Sequence, residues 1–274
     1  MPLPPIPLAE APLLFLDLEM TGLDPEQDRI CEVCALRCRG PTEEEALETL
    51  VRSERGGGVG QQVHQISEEE LARAPTFLEV APILHRLLDG AVLVAHGTDL
   101  DERFLAAELG RVGLGVPVLG VLDTLQLAKR CFAAPTYRLG FLSHRLGLLH
   151  PRQHRAGDDA RATRQLFWRT VEELAPADLA DLGEVQVGEC RVRPVILAKA
   201  KQLAGRGEAV WVRYRPSGRG REEFAYVITE VRADMDPPVV MGYLHPGRGR
   251  KELRADRILA IFPMLPPGDP RAPA

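Results

Sequence analysis

The chain has 274 residues, of which 45% are hydrophobic and 27% charged. That composition gives one sizeable core and a smaller one, and excludes collagen-like, coiled-coil and wholly disordered chains. No apolar run approaches the ~20 residues of a membrane helix. The first twelve residues are proline-rich and lack a basic segment followed by an apolar one, so no signal peptide is expected. Five cysteines are sparse and odd in number. The expectation is a reduced, cytoplasmic protein without a disulfide framework. Charge is uneven along the chain. Residues 186–274 carry 16 basic against 10 acidic side chains, a net of +6, and residues 1–185 carry 18 against 29, a net of −11. An acidic module suits cations and a basic one suits polyanions.

In chain order, the apolar run at 13–18 predicts a buried strand that ends at Met20-Thr21-Gly22. Residues 29–37 and 47–53 predict two more strands. The run Gly56-Gly57-Gly58 predicts a loose hairpin or loop, and it lacks the Lys-Ser/Thr of a phosphate loop. Ser67 and Glu70 have the spacing of a capping box. Phe77, Val80, Ile83, Leu84 and Leu87 repeat at helical spacing within 75–88. A short strand at 91–95 precedes a helix at 99–109, and 118–121 is another strand. Helices are expected at 124–131, 139–146 and 160–174. Strands followed by alternating helices and strands define an α/β layer fold with a mixed sheet.

Residues 175–189 read as a linker, and 194–203 as a short helix. Short strands are expected at 209–214, 224–229, 239–244 and 257–262, and their close spacing suggests a small barrel. Residues 1–12 and 266–274 are expected to be flexible. The expected division is thus 13–174, a linker at 175–190, and a small β-rich domain at 191–265.

The chemistry resides in carboxylates at element ends. Asp17 and Glu19 share one face at the end of the first strand. Asp101 follows the strand that ends at His96, and Asp159 lies near the start of the long helix, five residues after His154. Carboxylates brought together repel unless a cation lies between them. Oxygen-only ligands with room for water suit Mg²⁺ or Mn²⁺ better than zinc. Two such ions can clamp the attacking and leaving oxygens of a phosphoryl displacement, and a histidine can take the proton from water near neutral pH.

Three segments carry a family resemblance: Phe15-Leu16-Asp17-Leu18-Glu19-Met20-Thr21-Gly22-Leu23, His96 to Leu105, and His154-Arg155-Ala156-Gly157-Asp158-Asp159-Ala160. They resemble the three motifs of the DEDDh, or DnaQ-like, 3′→5′ exonucleases, over residues 13–174. His64-Gln65-Ile66-Ser67, Asp123-Thr124-Leu125 and Tyr137-Arg138-Leu139 are similar to intervening signals of that family. The resemblance implies an RNase H-like fold with two Mg²⁺ (or Mn²⁺) held by Asp17, Glu19, Asp101 and Asp159. It makes His154 the general base. It implies that Met20, Thr21, Leu23, His96 and Phe104 meet the 3′-terminal nucleotide, with a core role equally open to Phe104. The implied substrates are single-stranded DNA or RNA 3′ ends, and a polymerase or repair partner is compatible with it. Two family positions differ, at Gly97 and Leu100. The first motif is similar to oligoribonuclease and the later ones to the proofreading epsilon subunit.

Residues 193–262 loosely resemble a WYL domain, a small SH3-like barrel, chiefly at Arg254-Ala255-Asp256-Arg257-Ile258. That likeness implies phosphate contacts from Arg213, Arg215, Arg219, Arg221, Arg248, Arg250 and Lys251, with Trp211 or Tyr214 either stacking or in the core. Cys31, Cys34, Cys38, Cys131 and Cys190 are read as small buried hydrophobes, and His64 as structural. Three activities compete: a deoxyribonuclease, a ribonuclease that trims RNA tails or oligomers, and a non-catalytic sensor. All five expected catalytic residues are present, which argues against the sensor.

Overall fold

The computed structural model describes residues 2–54, 56–185, 191–216, 220–247 and 249–264. Two compact units emerge. The first comprises Met1–Ala128 and Thr136–Arg169, and the second Lys129–Pro135 and Thr170–Ala274.

In the first unit, β1 (Pro12–Met20), β2 (Ile30–Arg39) and β3 (Thr42–Leu50) form an antiparallel meander. Short helices α1 (Gln61–His64) and α2 (Glu68–Arg73) lead into α3 (Phe77–Leu88). Then come β4 (Val92–Ala95), α4 (Asp99–Arg111), β5 (Gly120–Asp123), α5 (Thr124–Cys131), α6 (Leu139–Leu146) and α7 (Ala156–Leu174). The sheet order is β3-β2-β1-β4-β5, with β4 parallel to both β1 and β5. This is the expected mixed sheet flanked by helices.

Alternation along β1 sorts its two faces. Leu14, Leu16 and Leu18 join Val80, Leu84, Phe104 and Leu105 of α3 and α4 in one core. Phe15, on the opposite face, meets Phe167 of α7 edge-on, with ring centroids 5.4 Å apart. Asp17 and Glu19 continue that second face. The chain leaves β1 toward β2 on one side and returns through β4 on the other. The carboxyl ends of β1 and β4 therefore flank a switch point, where open α/β sheets place their ligands.

Several boundaries differ from the expected ones. β3 starts earlier and carries mostly exposed residues, and α7 begins at Ala156 rather than at 160. The capping box of Ser67 and Glu70 forms at α2, and Thr76 with Glu79 makes a second at α3. The glycine run is not a hairpin. It is a loop, the other expected form, whose last glycine opens a 3₁₀ turn (Gly58–Gly60) pressed against the end of β1. A Cβ on Gly58 or Gly60 would collide with the carbonyl oxygens of Thr21 or Met20, respectively. Nor is the N-terminus loose throughout, since Leu3 is buried and Leu8–Glu10 form a 3₁₀ turn.

In the second unit, α8 (Leu179–Gly183) occupies what reads in sequence as linker, capped by Asp178. Helix α9 (Pro194–Leu203) precedes β6 (Ala209–Tyr214), β7 (Glu222–Arg232), β8 (Val239–Leu244), β9 (Arg250–Arg254) and β10 (Ile258–Pro263). The antiparallel order is β10-β6-β7-β8-β9. Its edges, β9 and β10, do not pair among the described residues, so the expected SH3-like barrel is not closed, and the WYL likeness finds no support in it. Ile196 and Ala200 of α9 pack with Val212, Tyr226, Val240 and Leu253 of the sheet instead. Arg193 is buried in this unit. It pairs with Asp181 and donates to the carbonyls of Leu174 and Leu259 at 2.8 and 2.6 Å. No helix among the described residues is long and apolar enough to cross a membrane.

Candidate active site

β1 delivers Asp17 and Glu19, the first turn of α4 delivers Asp101, and the first turn of α7 delivers Asp159. All four line one cavity of about 430 Å³, together with His154, His96, Met20 and Leu23. Glu19, His154 and Asp159 each place a potential ligand atom within 4.8 Å of the others'. His154 is exposed and takes a left-handed backbone (φ 60°) just ahead of α7. Its N–H donates to Asp159 Oδ2 at 3.0 Å.

The carboxylates crowd one another. Burial raises Asp17 well above the usual carboxylate range, and the charges of Asp101, Asp159, Glu19 and Glu32 add to it. Burial, then Asp159, Glu32 and Asp101, push Glu19 up to about 8, against a smaller pull from Arg155. Asp101 also rises to about 8, through burial and the charges of Glu102 and Asp123. Acids held above their ordinary values in an open cleft, with no lysine or arginine among the described residues that line it, are a site that a divalent cation would complete.

Glu32 sits opposite Glu19 on β2 and is buried. Arg155 grips it from Nη2 at 2.9 Å and Nε at 3.2 Å, and the Ala156 N–H donates to it at 3.0 Å. That pair ties the start of α7, and with it the His154 segment, to the sheet. His96 bridges Thr124 Oγ1 (2.9 Å) and the Tyr137 carbonyl (2.8 Å). Its ring is thereby held at the cavity wall.

Other expected site residues are placed differently. Thr21 is buried, with its hydroxyl accepting from the Arg29 N–H (3.0 Å) and meeting Asp28 (3.3 Å). It shapes the turn after β1 and does not line the cavity. Phe104 is fully enclosed in the core, which removes it from any contact with a nucleotide. Asp99, the sequence rival of Asp101, is exposed and faces Arg103. Val59 and Val63, not singled out from sequence, line the cavity and are 76% and 50% exposed. The signal the sequence offers for them is only two valines next to a glycine run. His64 is buried, and its Nδ1 accepts from the Ile66 N–H at 3.0 Å. Cys31, Cys34, Cys38 and Cys131 are buried free thiols. Cys190 lies outside the described residues.

The basic cluster is largely consumed within its own unit. Arg213 pairs with Glu223 (2.6 Å), donates to the Glu173 carbonyl (2.9 Å) and lies over the Phe262 ring. Arg215 donates to the carbonyls of Lys129 and Arg130, and Arg221 pairs with Glu173. Lys251 meets Glu222 at 3.1 Å and sits 3.9 Å from the Phe224 ring centre. Arg250 is exposed, and Arg219 and Arg248 lie outside the described residues. Tyr214 is core, and Trp211 is half-buried.

Mixed α/β layers with clustered acids at strand and helix ends define a nuclease-like hydrolase. The match to the RNase T exonuclease family over residues 14–167 makes this specific, and the chain belongs to that family. It is 34% identical over 179 residues to the PolC-type DNA polymerase III of Thermotoga maritima, covering 65% of this chain but 13% of the polymerase. It is also 34% identical over 163 residues to the DNA polymerase III subunit epsilon of Treponema pallidum, covering 58% of this chain and 76% of that protein. Among solved structures, exonuclease X in complex with 5′-overhanging duplex DNA aligns with a TM-score of 0.50 at 23% identity, over 62% of this chain and 99% of that one.

Proposed function

We propose that the chain is a 3′→5′ exonuclease that releases nucleoside monophosphates from single-stranded DNA with two Mg²⁺ or Mn²⁺ ions. The convergence of Asp17, Glu19, Asp101 and Asp159 with His154 in one cavity carries this reading. The four carboxylates would hold the cations, which would supply acidification of the attacking water and neutralisation of charge on the departing 3′-oxygen. His154, exposed and lining the same cavity, would accept the proton of that water as general base. Its place is set by the left-handed turn, by its N–H bond to Asp159 and by the Glu32–Arg155 pair behind it. Met20 and Leu23 give the terminal nucleotide an apolar seat, and His96 walls the cavity on the side of β4.

DNA is favoured because the relatives named above are DNA polymerases or a subunit of one. A polymerase or repair partner is proposed on the same ground. Residues 13–174 serve as the catalytic part and 191–265 as an accessory part. The test is degradation of 5′-labelled single-stranded DNA and matched RNA with Mg²⁺, Mn²⁺ or EDTA, beside Asp17→Asn. A metal-dependent ladder that Asp17→Asn abolishes is expected, faster on DNA. A faster RNA ladder would transfer the substrate to RNA. No ladder on either strand, and no bound Mn²⁺, would overturn the reading.

A further inference from the structure

Asp159 is gripped at both carboxylate oxygens. Oδ2 accepts from the backbone N–H of His154, and Oδ1 lies against Nε2 of His150. The His150 side chain is only 5% exposed. Its second ring nitrogen, Nδ1, is enclosed and has no hydrogen-bond partner among the described residues. A neutral ring with its proton on Nε2 spends its one N–H on Asp159. The other tautomer would bury an N–H without an acceptor while facing a carboxylate with a bare nitrogen.

The segment that carries His150 is itself fastened. Gln165, six residues beyond Asp159 on α7, clasps the neighbouring Leu149 by both backbone groups. Its Oε1 accepts from the Leu149 N–H at 3.0 Å, and its Nε2 donates to the Leu149 carbonyl at 3.0 Å. The Leu148 N–H donates to the Ser143 carbonyl at 2.8 Å. One helix therefore holds both the carboxylate and the loop whose histidine orients it.

We propose that His150 is a positioning residue for the cation centre, a role that rests on the metal-dependent reading above. Its Nε2–H fixes the rotation of the Asp159 carboxylate. A carboxylate offers about four lone-pair sites, so two hydrogen bonds leave the remaining ones aimed in a set direction. Ligand carboxylates held in this way bind metal more tightly than free-swinging ones, and loss of such a support costs about 10–100-fold in affinity. Nothing in the spacing of His150 to Asp159 belongs to the motif that contains His154.

The test is calorimetric titration of Mn²⁺ into the full metal-stripped chain, with melting of the same samples. His150→Leu is expected to bind Mn²⁺ about 10–100-fold more weakly. His150→Gln retains an N–H donor at similar reach and should recover most of that loss, a rescue that a merely space-filling role would not produce. If His150→Leu does not fold, Gln165→Ala serves, because it frees the loop without touching the cavity; a weaker fall in Mn²⁺ affinity is expected. Unchanged affinity in the folded variant, or tighter binding, would overturn the positioning role while leaving the exonuclease reading intact. Failure of the wild-type chain to bind Mn²⁺ would overturn both.

Discussion

Acids held above their ordinary values make the metal-free protein sensitive to pH in a direction that can be worked out. Glu19 stands at about 8 against 4.5, and Asp101 at about 8 against 3.8. A carboxyl that binds its proton more tightly when folded than when unfolded contributes stability below its unfolded value. That contribution is lost as pH rises through the folded value. The window therefore runs from about 4.5 to about 8, and the metal-free chain should weaken as pH rises across it. For Glu19 alone the limit is about 5 kcal/mol, and solvent in the open cavity screens this to about 2–4 kcal/mol. At about 2–4 °C per kcal/mol for a chain of this size, the melting temperature should fall by about 5–15 °C. Calorimetry of EDTA-treated protein from about pH 5 to pH 8 measures it, and the difference from Glu19→Gln isolates this site from other titrating groups. Mn²⁺ should raise the melting temperature more at the alkaline end, because its ligands must be deprotonated. A melting temperature that rises with pH relative to Glu19→Gln, or no difference between the two proteins, would refute the charge-crowding argument.

Three further outcomes are expected. His154→Gln should lower kcat by about 10²–10⁴-fold with little change in KM, since it removes a proton acceptor and leaves the four carboxylates in place; single-turnover kinetics on labelled DNA would show this. Glu32→Ala should cost about 2–3 kcal/mol by chemical denaturation, because it strands Arg155 and the Ala156 N–H, with Arg155 partly relieved by its 31% exposure. Arg213→Ala should lower stability by about 1.5–3 kcal/mol and leave the salt dependence of DNA affinity unchanged, whereas Arg250→Ala should reduce that salt slope by about 1 if the exposed arginine meets a phosphate; paired melts and binding isotherms at several salt concentrations separate them.

The buried elements were legible because their side chains obey one period. β1 and β4 are apolar runs, and α3 and α9 repeat at helical spacing. Apart from the short helix α8 inside the expected linker, what escaped lies on edge strands: all of β9, and the start of β3, residues 42–46. β3 reads Thr-Glu-Glu-Glu-Ala-Leu-Glu-Thr-Leu and β9 reads Arg-Lys-Glu-Leu-Arg, and neither alternates cleanly between apolar and polar residues. Charge on an edge strand discourages pairing with other chains, so the residues that suit the position also hide it from a hydrophobic pattern. β3 is held by its ladder to β2 and by Arg164–Glu43, Arg86–Glu45 and Arg161–Glu48, contacts 41 to 121 residues apart in sequence. Barrel closure was illegible for a related reason. Short strands at close spacing suit an open sheet under a helix as well as a closed one, and residue spacing carries no information on whether β9 reaches β10.

The same distinction separates what could and could not be read of the site. Asp17, Glu19, Asp101, His154 and Asp159 fall in short local patterns that single them out in the sequence, and the fold brings them to one cavity. His150 is nine residues from its partner, and only the return of its loop onto α7 brings them together. The arginines fail in the opposite sense. A net of +6 over residues 186–274 suggested a free basic face. Arg193, Arg213, Arg215 and Arg221 are instead spent on carboxylates and on carbonyl oxygens within one unit. A guanidinium has five donors, so it can close loops and cap a helix end without leaving charge on the surface. Net charge over a segment therefore counts cations without saying where they point. A claim of polyanion binding has to rest on those that remain exposed, which in the described part of this cluster means Arg250 far more than Arg213.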